Sequence, residues 1–316
     1  MLSIVIPTHN RTDLLCECLQ AVTRHAPAES EIIVVDDASP DGAASKMTSS
    51  FTGLITLRLG QHRGFAVAAN TGIRASRGDV IETLNDDTVV QPGWADAALP
   101  WFDDPAIGAV APLVLAWPEG KIIDSAGDRY YVGGVAGKRR HGLPLTPAHL
   151  EPCRVFGASA AAGFYRRSAL DRVGLFPDDF GSYFEDVDLA FRLNRAGYRA
   201  MYEPASRVLH HISASYGRTG RVLLERQSYN EERVFGRNLP APVLWRAWPK
   251  HVAVLAGKAL RRLEEGTLTP WLFGRLRVLW EWREIARHRR DLASEDDVAA
   301  WGIEEAFWKS EGFMTH

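Results

Sequence analysis

Asp79-Val80-Ile81-Glu82-Thr83-Leu84-Asn85-Asp86-Asp87 is the stretch on which the fold turns. A short apolar run ends abruptly in a polar cluster. The run reads as a buried strand, and the cluster as the loop at its carboxyl end. The pattern recurs. Leu2 to Ile6 is a similar strand, stopped by Pro7 and leading into Thr8-His9-Asn10. Glu31-Ile32-Ile33-Val34-Val35 is another, ending in Asp36-Asp37, and Leu54 to Leu59 is a further strand. Helical patterns lie between them. One is capped by Thr12 or Asp13 and carries the stripe Leu15, Cys18, Leu19 and Val22. Another covers Ala66 to Ala75 and closes near Gly78. Strands alternating with helices imply an α/β fold with a mostly parallel central sheet and flanking helices. In such sheets ligands bind beyond the carboxyl ends of the strands, where these polar clusters lie.

The clusters also restrict the ligand. A dinucleotide fold would place G-x-G-x-x-G after the first strand, but that position reads Pro7-Thr8-His9-Asn10-Arg11. The G-x-x-x-x-G-K-[ST] phosphate loop is absent too. The alternative is a metal clamp. Asp86 and Asp87 offer hard oxygen ligands, which suit Mg²⁺ or Mn²⁺ bridging a diphosphate. A single Asp pair reads better as a helix cap or a solvated loop. A second pair at another strand end points to a site.

Composition excludes other classes. The chain has 316 residues, 46% hydrophobic and 24% charged, with a net charge of −2. That is globular composition, not a disordered or fibrous chain. Three cysteines (Cys16, Cys18, Cys153) cannot frame a disulfide scaffold and read as reduced thiols of a cytosolic protein. The longest uncharged run, Pro105 to Pro118, is shorter than the roughly 18–20 apolar residues of a spanning helix. The N-terminus does not read as a signal peptide. The expected location is cytoplasmic, peripheral on the inner face of the membrane.

The near-neutral total hides an asymmetry. Residues 218–290 hold 16 basic and 7 acidic side chains, a net of +9, whereas residues 1–217 sum to −5 and 291–316 to −6. Seven of the ten tryptophans follow residue 240 (Trp245, Trp248, Trp271, Trp280, Trp282, Trp301, Trp308). The shift near 217 divides a catalytic region, 1–217, from a helical, basic, Trp-rich region, 218–316. Val252, Leu255, Ala256, Ala259, Leu260 and Leu263 form an amphipathic stripe flanked by Lys258, Arg261 and Arg262. Trp271 to Arg290 is apolar and arginine-rich. Such helices suit an anionic membrane surface through 245–290, or pack on the catalytic region or on a second subunit as a homodimer. Nucleic acid is not an expected partner: no reader motif is present and an acidic tail follows.

Tyr183 to Ala196 reads as a helix closed at Gly197. Glu185, Asp188, Arg192 and Arg195 form its polar face. The charge of Asp188 reads as no more than a favourable helix start. Asp186 instead shares spacing with Leu189, Ala190 and Leu193. A carboxylate turned towards apolar neighbours, in a first turn whose dipole favours its ionised form, suits a general base.

Ile4-Val5-Ile6-Pro7-Thr8-His9-Asn10-Arg11, Val34 through Gly42, Leu84-Asn85-Asp86-Asp87-Thr88 and Gly181 through Leu193 together resemble the signature of the inverting family 2 glycosyltransferases over about residues 2–215. The branch looks similar to rhamnosyltransferase-like enzymes of cell-wall and O-antigen assembly. The resemblance implies a Rossmann-like glycosyltransferase A-type fold, a nucleotide-diphosphate-sugar donor, a divalent metal and inversion at the anomeric carbon. It places Pro7, Thr8, Asn10 and Arg11 at the nucleotide. It gives Asp37 the task of accepting a hydrogen bond from a pyrimidine N–H, against the alternative of capping the segment after Gly42. It puts Arg63, Gly64, Phe65 and Asn70 along the donor site, with His62 departing from the usual Asn. Asn85-Asp86-Asp87 matches the family's D-x-D position, Asp87 as metal ligand and Asp86 at the ribose or assisting the metal.

The same resemblance makes a histidine of Val208 through Ser215 the further metal ligand, His210 by preference over His211. Arg218 reads either as a contact of the leaving diphosphate or as a solvated arginine. Asp186 becomes the base and Glu185 an acceptor contact. The small segment Phe156 to Phe164, with Ser159, makes donor or acceptor contacts or packs tightly. Lys121 to Pro152 reads as a loop-rich insertion that orders over substrate. The expected activity is metal-dependent inverting transfer of a sugar, from dTDP-rhamnose or a UDP-sugar, to a hydroxyl of a glycan or lipid-linked acceptor. A nucleotidyltransferase would need a Gly-rich, Arg-containing loop after the first strand, which is missing. A catalytically silent sugar-nucleotide-binding scaffold of polysaccharide assembly is the alternative.

Overall fold

Every residue of strand β1 (Leu2–Thr8) is buried. Ile4 and Ile6 enter the core on one face of the sheet and Val5 the core on the other, as the two-residue period of a strand dictates. The computed structural model describes residues 1–40, 42–211, 220–293 and 302–304. In it β1 pairs in parallel with β2 (Glu31–Asp36) and β4 (Val80–Thr83), and β2 with β3 (Leu54–Arg58). This half of the sheet is as expected.

The other half is mixed. β11 (Phe164–Arg166) runs antiparallel between β4 and β6 (Ile107–Ala116). β12 (Arg199–His210) lies parallel to β6, and β10 (Cys153–Val155) and β5 (Thr88–Val90) lie antiparallel to β12. No crossover helix precedes β11, so the chain re-enters the sheet in the opposite sense. The Lys121 to Pro152 segment is more than loop. It contains β7 (Ile123–Ser125), antiparallel to β6, and the hairpin β8 (Asp128–Tyr131) and β9 (Val135–Lys138), which β13 (Ile303–Glu304) extends.

Helices α1 (Thr12–His25), α2 (Ala43–Ser50) and α4 (Trp94–Ala98) cover one face. Helices α3 (Phe65–Ala75), α5 (Arg167–Val173) and α6 (Glu185–Arg195) cover the other. Leu15, Cys18, Leu19 and Val22 are buried as their spacing requires. The capping expectation fails: Thr12 is already helical, and Arg11 occupies the cap position with no side-chain cap. Its guanidinium is engaged elsewhere, as described below. α3 ends at Ala75, ahead of Gly78.

At Gly72 helix α3 approaches β1 so closely that a Cβ would sit 2.3 Å from Val5 Cγ1 and 3.0 Å from Val35 Cγ2. Both neighbours are buried in the sheet and have little room to yield. Gly72→Ala is expected to cost about 1–3 kcal/mol. A urea titration would show a lower midpoint at unchanged slope; an unchanged midpoint would mean the helix shifts freely.

Among the described residues four further helices follow: α7 (Arg221–Asn238), α8 (Ala241–Glu264), α9 (Leu268–Arg277) and α10 (Trp282–Ala293). Val234, Phe235 and Ala247 build a third core with Tyr130, Phe156, Phe180 and Phe191 from earlier in the chain. Buried ion pairs fasten the bundle. Glu231 bonds Lys258 at 2.5 Å and also Arg275, while Glu232 bonds Arg275 at 2.6 Å and His251 at 3.1 Å. The expected amphipathic stripe on α8 does not pack inward. Val252, Leu260 and Leu263 are exposed, because α8 docks instead through Ala247 and His251. Among the described residues no helix is long and apolar enough to cross a membrane. Cys16, Cys18 and Cys153 are free thiols. The expectations for Asp41, Ser215, Arg218, the boundary at 217, Trp301 and Trp308 fall outside the described residues.

Candidate active site

The parallel strands deliver their polar carboxyl ends to one side of the sheet. There they meet α6 and α8 around a cleft of about 1420 Å³. Pro7, Thr8, Arg11, Asp37, Asn85 and Asp86 line it. So do Ser159, Glu185 and Asp186, and Lys250, Arg261 and Arg262 of α8.

The carboxylate pair is tightly held. Thr8 Oγ1 donates to Asp86 Oδ2 at 2.7 Å. Arg11 Nη1 donates to Asp87 Oδ2 at 2.8 Å and to Asp86 Oδ1 at 3.4 Å. Burial pushes the Asp86 carboxyl up to about 6, with Arg11 opposing. Asp87 goes the other way. Burial would raise it, but His210 and Arg11 hold it below the ordinary aspartate value.

The two adjacent histidines part company on β12, because successive residues face opposite sides. His211 turns to Glu17, Nε2 to Oε2 3.0 Å, and stacks on Trp117 at 4.5 Å. His210 is buried, with Nε2 3.2 Å from Asp87 Oδ1 and Nδ1 2.9 Å from Asp124 Oδ2. Burial opposes its protonation, but the two carboxylates win and its pKa is pushed up to about 9.

A divalent ion fits between Asp87 and His210. Two ligands about 2.1 Å from one octahedral ion lie about 3 Å apart, close to the 3.2 Å found here. The buried His210 Nε2 makes no hydrogen bond that would hold it away from an ion. Among the described residues no group of three or more His, Cys, Asp and Glu side chains is arranged around a metal.

Asp186 stands in the first turn of α6 and accepts from the Ala160 N–H at 3.1 Å. Burial raises its pKa, with the backbone N–H groups of Ala160 and Val187 opposing. The chain reaches it through Tyr183 and Phe184, at φ 75° and 70°. Left-handed backbone at two aromatic residues is strained. Asn230 of α7 steadies the turn by donating to the carbonyls of Phe180 and Tyr183 at 3.0 and 2.9 Å. Glu185 is buried beside Asp186, and burial followed by the Asp186 charge raises its pKa well above the ordinary glutamate value.

Other expected residues are placed differently. Asp37 does not cap the helix after Gly42. It accepts from the N–H groups of Arg63 and Gly64, both at 2.7 Å, and pairs with His62 at 2.8 Å. Its carboxylate therefore shapes the cleft by pinning that loop. Ser39 N is bonded by Asp36 instead, at 2.7 Å. Asn70 does not reach the cleft. It is fully buried and bonds the backbone of Phe176 in both directions, fixing the loop ahead of α6. Arg63 reaches Asp37 through its backbone and exposes its side chain. Asn10, at φ 58°, uses its N–H on Ser39 Oγ at 2.9 Å and shapes the loop. Asp188 is not a solvated helix-start charge but is fully buried.

Sequence reading missed Asp124, Asp128 and Lys138, which the 121–152 segment brings beside His210 and Asp186. Asp124 holds His210, Lys138 bonds Asp124, and Asp128 lines the cleft with Lys138 and Asp186. No motif announces them, because their partners lie tens of residues away.

A family model described as Glycosyl transferase family 2 matches residues 3–174. The N-acetylglucosaminyl-diphospho-decaprenol L-rhamnosyltransferase of Mycobacterium tuberculosis is 30% identical over 247 residues, covering 69% of this chain and 78% of that protein. Other curated relatives are longer: the chain spans 25% of the protein y4gI of Sinorhizobium fredii, at 29% identity. Among solved structures, the mannosyltransferase PcManGT from Pyrobaculum calidifontis in complex with GDP-Man and Mn²⁺ superposes with a TM-score of 0.57 at 20% identity, covering 89% of this chain and 87% of that one. GalNAc-T7 with UDP, GalNAc and Mn²⁺ gives 0.61 at 20% identity, covering 75% and 48%. The glycosyltransferase A-type fold expected from the motifs is therefore present. This chain belongs to glycosyl transferase family 2 and is a glycosyltransferase.

Proposed function

We propose that the chain moves a sugar from a nucleotide-diphosphate-sugar to an acceptor hydroxyl with inversion, using a divalent metal, Mg²⁺ or Mn²⁺. One observation carries the reading: the Thr8–Arg11–Asp86 cluster, His210 and Asp186 line a single cleft. Asp87 and His210 would hold the ion, which supplies positive charge to the departing diphosphate. The remaining steps belong to the chain. Pro7, Thr8, Asn85 and Asp86 seat the nucleotide and ribose. Asp37, through Arg63 and Gly64, fixes the loop beside the base. Arg11 adds charge at the diphosphate. Asp186 accepts the proton of the attacking hydroxyl as the nucleoside diphosphate leaves from the opposite face. Glu185 and Ser159 border the acceptor. Residues 1–217 would be the catalytic unit and 218–316 the accessory one.

The relative's name supports L-rhamnose as the sugar moved and an acceptor carried on a lipid diphosphate; the donor would then be dTDP-rhamnose, with a UDP-sugar as the other choice. Exposed Trp245, Phe273, Trp280 and Trp282 among arginines support a peripheral seat on an anionic membrane, on the cytoplasmic face. The competing occupant of that surface is a second copy.

The test is nucleoside-diphosphate release from dTDP-, UDP- and GDP-sugars with Mn²⁺, Mg²⁺ or EDTA. One donor should be hydrolysed slowly in a metal-dependent way, and Asp87→Ala should lower the rate about 10²-fold. Absence of release, together with no metal-dependent donor binding by calorimetry, would leave the scaffold reading instead.

A further inference from the structure

Asp124 lies outside the matched motifs, in a segment whose composition reads as loop. It is nevertheless 1% exposed and sits at the centre of a charged bracket. Its Oδ2 is 2.9 Å from His210 Nδ1. Lys138 Nζ, from β9, donates to both its oxygens at 2.9 Å. His141 closes the third side, with Nδ1 3.3 Å from Asp124 Oδ1 and 2.8 Å from the Asp124 carbonyl. β7 places the carboxylate beside β12 by pairing with β6, which itself pairs with β12 through His210↔Ala116.

We infer that Asp124 is a positioning residue for His210, fixing which ring nitrogen carries the proton and aiming the other at Asp87. An ionised carboxylate only accepts, so Nδ1 must donate to it. In the neutral ring the proton sits on Nδ1, the nitrogen that makes the hydrogen bond, and the lone pair stands on Nε2, whose 3.2 Å approach to Asp87 is not a hydrogen bond. Lys138 and His141 hold the carboxylate from its other sides, so the ring orientation is set by three separate pieces of chain. The segment that reads as a lid thus also braces the site. The inference rests on the proposed metal role of Asp87 and His210 for its consequence, though not for its geometry.

The test has two readouts, neither of them turnover. The first is Mn²⁺ affinity of the full chain by calorimetry, with Mn²⁺ alone and with Mn²⁺ plus uridine diphosphate. Asp124→Asn should weaken it about 10–100-fold. In a His210→Ala background the same change should add less than about 2-fold, because the two residues act as one unit. An equal loss in both backgrounds would mean that Asp124 acts only through its charge, and would overturn the inference. The second readout is the ¹⁵N spectrum of the imidazoles in metal-free protein. Native His210 should carry its proton on Nδ1 whenever neutral, and Asp124→Asn should mix the tautomers. A native neutral ring, reached by titrating to alkaline pH, that carries its proton on Nε2 overturns the inference. The tautomer is read without metal, so it stands or falls separately from the metal reading, which fails if the native chain binds no Mn²⁺ in either condition. Circular dichroism melts confirm that each variant is folded, and Asp124→Glu, which keeps the charge, should recover part of the affinity.

Discussion

Asp186→Asn is expected to lower sugar transfer by about 10³-fold while leaving donor and metal binding within about 2-fold. Asn keeps the shape and an acceptor oxygen for the Ala160 N–H, now at 3.1 Å, so the α6 start should survive. What it loses is the capacity to take a proton. The acceptor hydroxyl is a poor nucleophile until that proton has somewhere to go. The proposed metal site uses other residues, so leaving-group assistance persists and the defect falls on kcat.

The pH profile sharpens this. Burial raises the Asp186 pKa, so the base is lost on acidification earlier than an ordinary aspartate near 3.9 would be. The acid limb of kcat/KM should therefore lie above that value, and it should vanish from the residual activity of Asp186→Asn. Transfer assays with Mn²⁺ across pH, beside calorimetric titration of the donor, check both statements. Equal loss of donor binding and turnover would place Asp186 in donor binding instead.

Much of this site is legible in the chain because its residues obey local rules. β-branched runs mark strands that end in Thr8, Asp36-Asp37 and Asp86-Asp87. The spacing of Asp186 with Leu189, Ala190 and Leu193 singles it out on the helix, and it does line the cleft. What is not legible depends on partners distant in sequence. Asn70 looks like a ligand contact but holds Phe176 in place, and Asp37, which does line the cleft, also pins Gly64. Asp124 meets His210 across 86 residues. The α8 stripe follows helical periodicity, yet periodicity does not say which side the bundle will cover. Leu260 and Leu263 remain 65% and 62% exposed while His251 is buried between Gly133 and Glu232.

Asp188 is the strongest case of that kind, and removing it should have the largest effect on stability. Its carboxylate is wholly buried between the catalytic region and the C-terminal helices. Oδ2 accepts from Arg192 Nε at 2.9 Å, and Oδ1 from Arg237 Nε at 2.8 Å and Asn238 Nδ2 at 2.7 Å. Arg192 in turn binds the carbonyls of Val173, Gly174 and Leu175, tying α5 to α6. Asp188→Ala strands two guanidinium groups without their counter-charge. The expected cost is about 3–5 kcal/mol, against a total stability of about 5–15 kcal/mol for a protein. The melting temperature should fall by roughly 10 °C.

The sign of the pH dependence follows from the direction of the shift. Burial would raise the Asp188 pKa, but Arg237 and Arg192 outweigh it and hold the group below the usual carboxylate range. A folded-state pKa below the unfolded value means the contribution is present in full above about pH 4 and is lost as pH falls further. Asp188→Asn keeps most of the hydrogen-bond geometry and lacks the charge. Its deficit in urea titrations should therefore be largest near neutrality and shrink on acidification below the unfolded value. A deficit that stays constant across that window would show that shape, not charge, makes Asp188 necessary. Because α6 carries both Asp188 and Asp186, the loss should also loosen the catalytic turn. Asp188→Asn should lower kcat at temperatures where the protein is still fully folded, and native-like kcat there would show that α6 is held by its apolar face alone.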